Sequence, residues 1–215
     1  MANHSTTASH VHHHFVDSEQ QFDASKMGMW IFLVTEILFF GGLFAAYIVY
    51  RAWYPELFTL ASEELNTLWG GVNTLVLIGS SLTVAMAIKS AQLNQIRNIA
   101  INLGITIALA CIFMVIKYFE YTHKFELGIF PGEFYSYEAI DHPKANIFFS
   151  LYYMMTGLHG LHVVVGIGLM TWLLVRSIKG HFDSEYYTPV EITGLYWHLV
   201  DIIWIFLFPL FYLID

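Results

Sequence analysis

Charge is scarce in this 215-residue chain: Asp, Glu, Lys and Arg make up 12% of it, about half the share of an ordinary soluble domain. Basic residues are scarcer still, nine Lys and Arg against 17 Asp and Glu. No basic stripe exists to follow a phosphate backbone, which excludes nucleic-acid binding. Cysteine is almost missing. One residue, Cys111, cannot form an internal disulfide, a CxxC zinc site, an iron–sulfur cluster, a CxxCH haem attachment or a two-cysteine copper site. Cys111 sits in an apolar run and reads as packing. The N-terminus lacks the basic-then-apolar order of a cleavable signal peptide. Residues 1–25 are polar, with five histidines at His4, His10, His12, His13 and His14, and read as a solvated arm.

Apolar residues, by contrast, form 57% of the chain, including 18 Phe, 13 Tyr and 6 Trp. A mean hydropathy of +0.57 would expose large apolar patches in water. Five apolar stretches stand out, at 27–50, 68–88, 99–119, 146–175 and 192–213. Each matches the ~20 residues a helix needs to cross a ~30 Å hydrocarbon core. Backbone groups must bond internally in lipid, so each stretch reads as a helix. Apolar residues run nearly all round each one, unlike a soluble amphipathic helix. The fold class expected is all-α, a five-transmembrane-helix bundle over 27–215, preceded by a polar arm at 1–26. Trp30, Tyr50, Trp53, Trp69, Tyr118, Tyr121 and Trp172 fall near the stretch ends as an interfacial belt. An acidic loop at about 118–145 is expected to form a short cap on the outer face. Lys and Arg count five against four in favour of an N-terminus inside. Gly41/Ala45, Gly42/Ala46 and the glycines at 157, 160, 166 and 168 are expected to let helices pack closely.

Ionisable groups at membrane depth are expensive and mark function or a buried network. Glu36 lies nine residues into the first stretch, about 14 Å deep at the helical rise. Burial there penalises its charged form. Asp201 lies at a matching depth in the fifth stretch, which permits contact with Glu36. His159 and His162 are i and i+3 on one face, as are His198 and Asp201. A carboxylate beside an imidazole fixes its tautomer. His162 and His198 sit at mismatched depths, which argues against a shared haem. Glu120 and His123 form a single ExxH, short of the paired motifs of a di-iron bundle. No metal site is expected. Arg176, with Lys179 and His181 beyond it, suits a helix C-terminus or a lipid phosphate.

The runs TEILFFGG, KYFEY, TGLHGLHVVVG and VEITGLYWHLVDIIWIFLF, in that order and spacing, resemble subunit III of the haem-copper terminal oxidases. The similarity covers about 27–213 and begins at the third helix of the seven-helix members. It therefore implies the short five-helix bacterial form, with an N-terminus on the cytoplasmic side and a C-terminus in the periplasm.

The resemblance implies a multi-pass protein of the bacterial cytoplasmic membrane. Its subunit is noncatalytic and holds no redox centre. Haem and copper sit in partners: the catalytic subunit I, and a copper-bearing or donor-docking subunit II. The assembly reduces O2 to water and pumps protons in aerobic respiration. Subunit III stabilises subunit I and supports proton uptake, and a wider respiratory supercomplex is a further partner. By resemblance Glu36 is the buried carboxyl facing subunit I. His159, His162, Glu191, His198 and Asp201 are internal polar residues, and Arg176 and His181 lie near bound phospholipid headgroups. Cytochrome c is the expected electron donor, with a quinol as the alternative. A free-standing transporter is a distant alternative, without the internal repeats it would need.

Overall fold

The computed structural model describes residues 15–137, 139–140, 142, 144–182 and 186–214. The histidine cluster at 4–14 lies outside them. Among the described residues the secondary structure is helical: α1 (Ser18–Trp53), α2 (Pro55–Glu63), α3 (Thr67–Gln92), α4 (Ile96–Glu126), a 3₁₀ turn at Gly132–Phe134, α5 (Ala145–Ile178) and α6 (Thr188–Tyr212). Five of these, all but α2 and the turn, are long and apolar enough to cross a membrane.

Local chemistry sets the ends. The Asp17 side chain accepts from the Gln20 N–H to start α1. Asn66 accepts from the N–H groups of Leu68 and Trp69 to start α3. Each satisfies donors that a helix N-terminus leaves open. Pro55 and Pro189 stand in the first turns of α2 and α6, where a missing N–H is harmless. Gly128 and Gly180, at φ +79° and +70°, turn the chain off the ends of α4 and α5 in the left-handed region that favours glycine.

These caps explain why the helices outrun the apolar stretches. Lipid requires apolar side chains only along its core, whereas a capped helix continues through polar turns. Residues 18–26 of the expected arm thus belong to α1, and 118–126 of the expected outer loop belong to α4. The remainder contains the 3₁₀ turn. Its Gly132 N–H donates to Ser150 on α5.

Helices α3 to α6 form the packed body, with α3 and α5 each lying against both α4 and α6. α1 lies outside, against α6 and α5. Only 17% of its apolar window is buried inside the chain, against 56% for α6. The core is aromatic, with Phe113, Phe148, Trp197, Trp204 and Phe211 fully buried. Close helix approach occurs at Gly166, where an added Cβ would meet the Trp197 ring at 2.4 Å. Gly194 and Gly70, not singled out from the sequence, do the same against Ile88 and Phe208. Gly41, Gly42, Gly157, Gly160 and Gly168 have nothing within 4 Å of an added Cβ. Small residues permit close contact without supplying it. Their faces are left open.

Candidate functional site

Two carboxylates anchor the paired part of the polar interior, the partly buried Glu36 on α1 and Glu120 at the far end of the bundle. On α1, Glu36 Oε2 meets His162 Nε2 of α5 at 3.0 Å. The other ring nitrogen, Nδ1, is 2.8 Å from the Leu158 carbonyl. A carbonyl only accepts, so Nδ1 carries a proton. Nε2 and the Glu36 carboxyl therefore share one proton between them, held as a carboxylic acid facing a neutral ring or a carboxylate facing an imidazolium. The pair is neutral in both forms, which suits its depth. Phe40 packs edge-on to the ring at 5.3 Å. Tyr196 lies along it at 6.5 Å and donates to the His162 carbonyl. The side chains remain 17% and 18% exposed. His162 borders an apolar groove of about 400 Å³ that is also lined by Met29, Phe32, Leu161 and Tyr196.

Counted from residues 27 and 175, the edges of their apolar stretches, Glu36 and His162 stand nine and 13 residues in, at unequal depths. Measured from the true ends of α1 and α5, they are 18 and 16 residues in, or roughly 27 and 24 Å at the helical rise. The levels agree once the polar turns are counted.

The remaining predicted residues do not form one network. Asp201 does not reach Glu36, whose partner is His162. His198, which shares a helix face with Asp201, instead meets the Ser81 hydroxyl of α3 at 2.6 Å. Ser81 adjoins Asp201, yet both carboxyl oxygens of Asp201 are buried without a hydrogen-bond partner. Both nitrogens of His159 are likewise buried and unpartnered, between the rings of Phe113 at 5.6 Å and Trp204 at 5.2 Å. Glu191 stands apart near the start of α6, paired with Lys26 of α1 at 2.8 Å. It ties α1 to the body. Arg176 lies over the Trp172 ring at 4.9 Å in the last turn of α5. His181 is exposed just beyond, its N–H bonded to the Arg176 carbonyl.

The second carboxylate, Glu120, was read only as part of a lone ExxH. It is instead the hub of the most charged cluster in the described chain. Lys117 Nζ lies 2.9 Å from Oε2, while Tyr152 and Tyr212 donate to Oε1 at 2.9 and 2.5 Å. Lys117 also donates to Tyr212 at 2.6 Å, and Lys124 approaches Oε1 at 3.6 Å. Lys117 and Lys124 are 7% and 3% exposed. The signal was present, since Lys117, Glu120 and Lys124 are spaced i, i+3 and i+7 on one helix face. The tyrosines from α5 and α6 were not predictable from that spacing. Lys124 further donates to the Glu64 carbonyl at 3.4 Å, and Tyr137 to the Glu64 carboxylate at 2.9 Å. That bond to Glu64 holds the Tyr137 phenol above its ordinary value.

No group of three or more His, Cys, Asp or Glu among the described residues is placed to hold a metal ion.

Comparison with known proteins gives a consistent result. A family model described as cytochrome c oxidase subunit III matches residues 4–215. A cytochrome c oxidase subunit 3 from Synechocystis sp. is 37% identical over 197 residues, covering 89% of this chain and 76% of that protein. A namesake from Thermostichus vulcanus is 34% identical over 198 residues, covering 89% and 88%. A haem-copper oxidase subunit I+III from Aeropyrum pernix is 29% identical over 204 residues, covering 89% of this chain and 23% of that much longer protein.

Proposed function

Because this chain belongs to the cytochrome c oxidase subunit III family, and so to an oxidoreductase complex, we propose that it acts there as a proton-supporting scaffold for the catalytic subunit. The observation that carries the proposal is the Glu36–His162 pair. A proton held between two sites moves from one to the other with no change in the pair's net charge. An isolated carboxylate at that depth lacks this freedom. Residual exposure on a groove gives the pair a route to exchange.

Subunit I is the partner for the outer face of α1. That face is apolar, poorly covered within the chain, and carries Gly41 and Gly42 with open space above them. The relative that joins subunits I and III in one polypeptide supports this neighbour. Haem and copper belong to subunits I and II, and supercomplex partners lie beyond them. The N-terminus faces the cytoplasm, and the Glu120 end of the bundle faces the periplasm. Arg176 and His181 then lie at the cytoplasmic surface, where a cation and an imidazole beside Trp172 suit a phospholipid headgroup.

The test uses purified oxidase carrying Glu36→Gln. The expected result is normal assembly with slower proton uptake or a shortened catalytic lifetime. His162→Gln is expected to match it, with no further loss in the double variant. Parental turnover and lifetime in all three would remove the pair from the function.

A further inference from the structure

We propose that the space around Trp204 is a hydrated site that binds ordered water through Asn73, His159 and Asp201. These side chains come from α3, α5 and α6, and all are at least 98% buried. Their six polar side-chain atoms, two on each residue, have no hydrogen-bond partner. Buried polar groups that lack protein partners are the usual anchors of internal water, which needs two to four such partners.

Trp204 of α6 touches both α5 and α3 in this region. His159 lies along its ring with centroids 5.2 Å apart. Its indole N–H donates to Thr74, the residue after Asn73. Asp201 precedes it by three residues, on the same face of α6. The helices offer donors and acceptors of both kinds: an amide, an imidazole and a carboxyl. Ser81 lies beside Asp201 and its hydroxyl is 2.6 Å from His198, but neither carboxyl oxygen of Asp201 has a hydrogen-bond partner.

Hydration here also joins polar groups that otherwise stand in separate pieces. Towards the start of α6 lies the Ser81–His198 bond. On the other side Lys117 Nζ sits 4.5 Å over the Trp204 ring and bonds Glu120. Water around Trp204 makes a hydrogen-bonded seam through the α3–α6 body. The seam is separate from Glu36, so this inference stands or falls independently of proton exchange on α1.

The experiment is X-ray radiolytic hydroxyl labelling of the intact oxidase, read by mass spectrometry. Radicals form from water wherever it is bound, so a buried residue beside ordered water is oxidised. Trp204 and Trp197 are both fully buried, but Trp197 donates to Ser80 and packs on Gly166. Trp204 is expected to be oxidised several-fold faster than Trp197. Asp201→Asn should keep that difference and Asp201→Leu should abolish it. Equal, slow oxidation of both tryptophans in the unaltered oxidase would overturn the proposal. That comparison needs no variant to assemble. A map of the intact complex showing the three side chains bonded to one another, with no water density between them, would overturn it equally.

Discussion

Glu36 and Glu120 are both carboxylates within membrane-spanning helices, and their surroundings could hardly differ more. Glu120 is served by two lysines and two tyrosines, and its side chain is 7% exposed. Glu36 has one side-chain partner, a histidine whose other nitrogen is fixed to a backbone carbonyl, and its side chain is 18% exposed. Excess donors lock a carboxylate as an anion and make it a fastener. One histidine donor, its other nitrogen fixed on a carbonyl, leaves a single proton that either atom can hold. The same residue type therefore serves as a rivet at one end of the molecule and as an exchanger beside α1.

Breaking the rivet should have the largest effect. Glu120→Leu leaves Lys117 and Lys124 buried without their counter-ion. The loss should reach at least the roughly 3–5 kcal/mol typical of a broken buried pair. It should appear as subunit III lost from the oxidase during detergent purification. Lys117→Met should be milder, at about 1–3 kcal/mol, because Glu120 keeps Lys124 and both tyrosines. Its signature is a lowered melting temperature in an assembled complex. Glu36→Gln should cost stability least of the three, about 0.5–1.5 kcal/mol for one hydrogen bond, yet it alone should change proton uptake. A Glu36→Gln protein that dissociates like Glu120→Leu would collapse the distinction.

The smallest effect belongs at the margin of the rivet. The bond from Tyr137 to Glu64 favours the protonated phenol. Its contribution is full below the unfolded value of about 10 and is lost as pH rises through the higher folded value. Proteolysis of the loop after α4 should therefore accelerate at alkaline pH in the parent. In Tyr137→Phe it should be faster at neutral pH and lack that alkaline rise.

Much of this was legible along the chain. The five spans were visible because lipid imposes a length and composition on every crossing segment. The start of the first and the end of the third were misplaced because α1 runs from its Asp17 cap and α4 runs on to the Gly128 turn, through residues that hydropathy discounts. The interest of His162 was visible, but its partner was not. Depth measured from hydropathy edges set it and Glu36 apart, and only the full helix lengths bring them level. Glu120 was misjudged for a different reason. Its lysines share its helix face, but Tyr152 and Tyr212 arrive from helices 32 and 92 residues away.

The sequence by itself determined that the chain crosses a membrane five times as helices, that cysteine-based cofactors are excluded, and that a few ionisable groups sit at depth. Those follow from composition and from the bilayer, which acts on each segment separately. Tertiary structure alone decided which groups meet: Glu36 with His162, His198 with Ser81 rather than Asp201, and Glu120 with four donors from three helices. Hydrogen bonds form over about 3 Å, and helix register and rotation set contacts at that scale. Those are properties of packed neighbours, which no single segment contains.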